Sequence, residues 1–130
     1  STEPPQLVPE GRVRDTLGVS ARTLQLVRSA MFADVDDPDG SGHEAMLPGF
    51  RIGGKTGTAQ VENTRGDVVD HITWFASMGG PANEPTPRYA VVVMVESGTS
   101  GGRTCAPLAR QVYEAIQRIE RPPATVARNN

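Results

Sequence analysis

The chain has 130 residues, is 37% apolar before its 14 glycines are counted, and carries a net charge of −2 spread over mixed signs. That is the make-up of one globular domain or a piece of one, not of a low-complexity chain, and the charge pattern offers neither a nucleic-acid surface nor an acidic tail. No apolar run approaches the ~20 residues of a membrane-spanning helix, and Ser1–Gly11 lacks the apolar core of a signal peptide.

Residues 1–19 hold Pro4, Pro5, Pro9 and Gly11 with little periodicity and read as an extended lead-in. The unit of interest is residues 20–119. Ser20 is placed as a helix N-cap, and Leu24, Val27, Met31 and Val35 recur at helical spacing, which predicts an amphipathic helix to about Val35. Pro38, Gly40 and Gly42 stop it in an Asp-rich loop. Three strand-like runs follow at about Arg51–Glu62, His71–Gly79 and Arg88–Ser97, and their short connections favour antiparallel neighbours. Tyr89–Val95 is apolar at almost every position, so the third run is expected to be the central strand, covered on both faces. A second helix is expected to open near Thr104, with Pro107 in its first turn and Leu108, Val112, Ala115, Ile116 and Ile119 as its buried stripe. Residues 120–130, with Pro122 and Pro123, read as a flexible tail. The fold class is therefore α+β, an antiparallel sheet with three strands from this chain and a C-terminal helix packed on it. Two helices are too few to cover both faces of such a sheet, so other polypeptide is expected to complete it.

One Cys and two His far apart in sequence exclude a Cys-based zinc site, and neither metal nor organic cofactor is expected. The basic residues are 12 Arg and a single Lys, Lys55, which sits in the unusual stretch Gly53-Gly54-Lys55-Thr56-Gly57-Thr58. Gly49–Thr56 matches the phosphate-loop pattern G-x-x-x-x-G-K-[ST] letter for letter. That chemistry needs a buried strand before the loop and a helix straight after it, so that a helix N-terminus holds the phosphates. Glu44–Pro48 makes a poor strand and Gly57–Val61 alternates like extended chain, so nucleotide binding is the distant reading.

The stronger reading puts Lys55-Thr56-Gly57-Thr58 on an edge strand beside a cleft for a carboxylate-bearing substrate. Lys55 supplies positive potential, the Thr56 and Thr58 hydroxyls donate to the carboxylate, and Gly57 keeps the approach clear. The Thr58 backbone N–H is aimed at an oxygen that gains charge in acyl transfer. Other polar residues take plainer roles. His71 beside Asp70, His43, and the run Asp34–Asp39 read as solvated groups, and Glu96 as a structural carboxylate. Trp74 and Phe75 point to opposite faces as core aromatics, and Cys105 is a small residue packed on the sheet.

Gly53–Gln60, then Thr73-Trp74-Phe75-Ala76, then Arg88–Gly98, then a Gly-rich turn into Ala106-Pro107-Leu108-Ala109 resembles, in order and spacing, the C-terminal part of a class B penicillin-binding transpeptidase domain. The resemblance implies the C-terminal half of the penicillin-binding and serine β-lactamase-like fold. It implies an enzyme of the elongation or division type that cross-links peptidoglycan stem peptides by serine acyl transfer and is acylated by β-lactam antibiotics. Lys55, Thr56, Gly57 and Thr58 would bind substrate there, with the Thr58 N–H in the oxyanion hole. The family's S-x-x-K and S-x-N elements are absent from this sequence. The nucleophile is therefore expected on the N-terminal half of the domain, and this chain alone is expected to be inactive. The same resemblance implies a periplasmic, extracytoplasmic location with a membrane anchor outside this sequence. A serine β-lactamase segment, and an inactive module that pairs with a second copy through its uncovered sheet face, are the alternatives.

Overall fold

The computed structural model describes residues 15–120; the lead-in before Asp15 and the tail after Glu120 lie outside them. Helix α1 spans Ala21–Asp36, and the Ser20 hydroxyl caps it by accepting the Thr23 N–H at 3.1 Å. After a single 3₁₀ turn at His43–Ala45 come strands β1, Phe50–Glu62, β2, Val68–Pro81, and β3, Tyr89–Glu96. A π-helical turn, Gly101–Cys105, then leads into helix α2, Ala106–Glu120. Pro107 follows the π turn directly; the N–H just before it, that of Ala106, donates to the Gly101 carbonyl oxygen, and Pro107 itself has none to give.

The strands form an antiparallel meander in the order β1-β2-β3. This corrects the expectation for Tyr89–Val95: among the described residues β2 is central and β3 is an edge strand. An apolar run calls for cover on both faces, yet Val92 and Met94 of β3 are exposed here; strand order is set by connections, and the short ones place β2 between its two sequence neighbours.

Alternation along the strands sorts the sheet into two faces. On one, the register aligns Gly54 with Ser77 and Val91, Thr56 with Phe75 and Val93, and Thr58 with Thr73 and Val95. This face is covered by α2 and the π turn, and Phe75, Thr73 and Ser77 are buried there. On the other, Lys55 aligns with Ala76 and Val92, and Gly57 with Trp74 and Met94. Trp74 is 41%, Met94 46% and Val92 62% exposed. This face is open over β2 and β3, which corrects the expectation that Trp74 is a core aromatic.

Helix α2 meets the covered face through Ala106, Ala109 and Tyr113, with Ile116 partly buried beside them. Two alanines let its backbone approach the sheet, and the Tyr113 ring occupies the space left by Gly79, where a Cβ would come within 2.9 Å of it. The expected stripe is thereby corrected, since Leu108, Val112 and Ile119 are exposed on the far side. Apolar residues recur on two faces of α2, and close approach selects the smaller ones. The Tyr113 hydroxyl lies 3.2 Å from Ser77 Oγ, and burial raises its pKa above the ordinary tyrosine value. Cys105 is fully buried against Thr73, 3.3 Å from its hydroxyl, in keeping with a packing role. Helix α1 packs its C-terminal half on β1 through Phe32 and Val35, while Leu24 and Val27 of the expected stripe are exposed.

Candidate active-site strand

Lys55-Thr56-Gly57-Thr58 lies in the middle of β1, the other edge strand of the sheet. An edge strand turns every second N–H and C=O outward, where an extended ligand can pair with them. Glycine sets the local shape. At Gly54 a Cβ would sit 2.2 Å from the Phe75 ring, so the aromatic core reaches up to the residue before Lys55. At Gly101 a Cβ would sit 2.2 Å from the Trp74 carbonyl oxygen and 3.0 Å from Gly57 N, so the π turn rests directly on backbone of β1 and β2. π turns of this kind are frequent at functional sites.

A cleft of about 610 Å³ opens beside this strand. Thr56, Gly57 and Thr58 form one wall, the Pro38–Glu44 loop a second, and Ser100–Arg103 a third. Thr58 is exposed and Thr56 and Gly57 are partly buried. Lys55 does not line the cleft itself; its ammonium donates to the Thr56 carbonyl oxygen at 2.9 Å and reaches Thr56 Oγ1 at 3.4 Å. Thr56 Oγ1 is 2.8 Å from Ser41 Oγ, and Ser41 is bonded in turn to the Asp34 carboxylate. From sequence Asp34 reads as a solvated group, which its bonds to Ser41 correct, and neither Ser41 nor Arg103 is singled out, because nothing local to an Asp-rich loop or a Gly-rich turn signals that it folds beside Thr56, 15 positions from Ser41. His43 stands in the cleft wall, but its Nδ1 donates to the Val35 carbonyl oxygen at 3.0 Å and secures the loop to the end of α1. Asp70 is held below the ordinary carboxylate value by the Ser97 hydroxyl and, next, by the His71 backbone N–H. Among the described residues no group of three or more His, Cys, Asp or Glu is arranged to hold a metal ion.

The phosphate-loop reading does not survive this geometry. Phe50–Thr56 is extended strand running on to Glu62, so no helix N-terminus follows Lys55-Thr56.

The penicillin-binding protein transpeptidase domain model matches residues 3–114. The chain belongs to this family. Among curated relatives of this transpeptidase segment, it is 34% identical over 125 residues to penicillin-binding protein PbpB of Mycobacterium tuberculosis, covering 88% of this chain and 18% of the relative. It is 30% identical over 126 residues to the probable peptidoglycan D,D-transpeptidase FtsI of Caulobacter vibrioides, covering 87% of this chain and 21% of the relative. Among solved structures, the apo TP domain of Burkholderia pseudomallei penicillin-binding protein 3 superposes with a TM-score of 0.61 at 32% identity, over 79% of this chain and 32% of that one. The transpeptidase segment thus spans about a fifth of the length of these curated relatives.

Proposed function

We propose that this chain is the substrate-binding half of a serine D,D-transpeptidase active site, completed by polypeptide that carries the nucleophile. The observation that carries the reading is a coincidence of place. Lys55 and Gly57 share rows with Ala76, Val92, Trp74 and Met94 on the sheet face that the described residues leave uncovered, and they lie on a strand whose outer edge is unpaired among those residues. A segment that covers the open apolar face therefore also comes to Lys55. The S-x-x-K and S-x-N elements missing from this sequence belong on that segment.

In the completed site the serine attacks the carbonyl of a stem peptide ending in D-Ala-D-Ala. A serine ester forms, the peptide bond breaks, and D-Ala departs with a proton on its amine. An amine of a neighbouring stem peptide then attacks the ester, forming the cross-link and returning the proton to the serine. Lys55 and the Thr58 hydroxyl meet the substrate carboxylate, Gly57 lets the peptide lie close to β1, and the Thr58 N–H stabilises the oxyanion, a contribution of about 3–4 kcal/mol where such donors are removed. β-Lactams acylate the same serine. The reading places the enzyme on the extracytoplasmic side of a bacterial membrane, anchored by sequence outside this chain, and the peptidoglycan name of the Caulobacter relative supports it.

The test is fluorescent penicillin labelling of the full-length protein, followed by a denaturing gel and intact mass. Lys55→Ala is expected to slow acylation by about 100-fold, the scale of losing a charged contact to the reacting ligand. An unchanged rate overturns the role given to β1, and covalent label on this 130-residue chain by itself overturns the placement of the nucleophile elsewhere.

A further inference from the structure

Ser41 receives two independent anchors from Asp34. Its backbone N–H donates to Asp34 Oδ1 at 3.0 Å, and its hydroxyl lies 2.9 Å from Oδ1 and 3.2 Å from Oδ2. The loop reaches this position through Gly40, where a Cβ would sit 2.0 Å from the Asp34 carbonyl oxygen, so the chain folds back tightly onto the end of α1. A carboxylate only accepts, and a serine hydroxyl has a single proton. The Ser41 proton is therefore committed to Asp34. In its 2.8 Å contact with Thr56, Ser41 Oγ is the acceptor and Thr56 Oγ1 the donor. Thr56 has then used its own proton, and what it turns toward Lys55 Nζ, at 3.4 Å, is lone-pair density. The bonds run in one direction from Lys55 to Thr56 to Ser41 to Asp34, with a cation at one end and an anion at the other. Bonds chained in one direction polarise and reinforce one another.

We propose that Asp34 and Ser41 are positioning residues: they fix the direction of the Thr56 hydroxyl and, through it, the place of the Lys55 ammonium. This inference rests on the substrate-strand reading of β1.

The experiment measures the second-order acylation rate of the full-length protein by a fluorescent penicillin, with thermal unfolding followed on the same samples. Ser41→Ala and Asp34→Asn are each expected to slow acylation about fivefold to tenfold, the scale of one ordinary hydrogen bond. Ser41→Thr, which keeps the hydroxyl, recovers most of the rate. Because Ser41 acts through Thr56, the double variant Ser41→Ala/Thr56→Val is expected to be no slower than Thr56→Val alone, whereas general damage to the fold makes the two losses multiply. Lys55→Ala, run in parallel, separates the two readings. If Lys55→Ala slows acylation while Ser41→Ala does not, or while the two losses multiply, the positioning role is overturned and the strand reading stands. If Lys55→Ala leaves the rate unchanged, both are overturned.

Discussion

Phe75 and Trp74 are neighbours on β2, yet Phe75 is fully enclosed while Trp74 is 41% exposed. The same contrast runs along both faces. One face is closed by α2 and the π turn around Phe75, Tyr113 and Cys105; the other presents Trp74, Val92 and Met94 in adjoining rows. A monomeric fold seldom leaves contiguous apolar surface open without a use for it. The comparison teaches that stability and function draw on different faces of one strand. Gly54 and Thr56 of β1 belong to the packed side, and Lys55 and Gly57 to the open side.

Stability measurements break or sharpen this contrast. Phe75→Ala is expected to cost about 3–5 kcal/mol by chemical denaturation, the range for deleting an enclosed aromatic, against no more than about 1 kcal/mol for Trp74→Ala. Equal losses would mean that the open face is as structural as the covered one. The glycines of β1 give a finer version. Gly54→Ala drives a Cβ to 2.2 Å from the Phe75 ring and is expected to cost about 1–3 kcal/mol, because a packed core yields little. Gly57→Ala, whose Cβ would lie 3.6 Å from Trp74 Cβ, is expected to stay within about 0.5 kcal/mol of the parent.

The smallest effect is electrostatic. The pKa of Asp70 is lowered from its ordinary 3.8, first by the Ser97 hydroxyl at 2.6 Å and then by the His71 N–H at 2.7 Å. A lowered folded-state value means stability that is present above the unfolded value and lost as pH falls through the folded one. Ser97→Ala is therefore expected to raise the Asp70 value toward 3.8, read by carboxyl ¹³C NMR titration. An unmoved titration would show that the Ser97 bond is not populated in solution.

Much of this architecture is legible in the sequence because it is local. Ser20 caps α1 through its own next turn, the strands alternate or run apolar where they should, and Pro107 marks the start of α2. The Lys55–Thr58 stretch stands out by composition alone, and the cleft reading of its residues expects the edge strand on which it lies. The strand order at β3 and the face of α2 that packs were misread for a shared reason. An apolar run or stripe says that water is avoided, without saying which partner covers it. Tyr113 is buried because Gly79 and Ser77 face it, and those residues are more than thirty positions away.

The sequence by itself determined the α+β element order, the strand that carries Lys55, and the family, since these depend on side-chain types at fixed spacings. Tertiary structure decided which face of that strand is core and which is open. It also decided that Asp34 and Ser41 stand behind Thr56, because a hydrogen bond acts over about 3 Å of space whatever the separation along the chain, and only the folded backbone brings the loop after α1 to the side of β1.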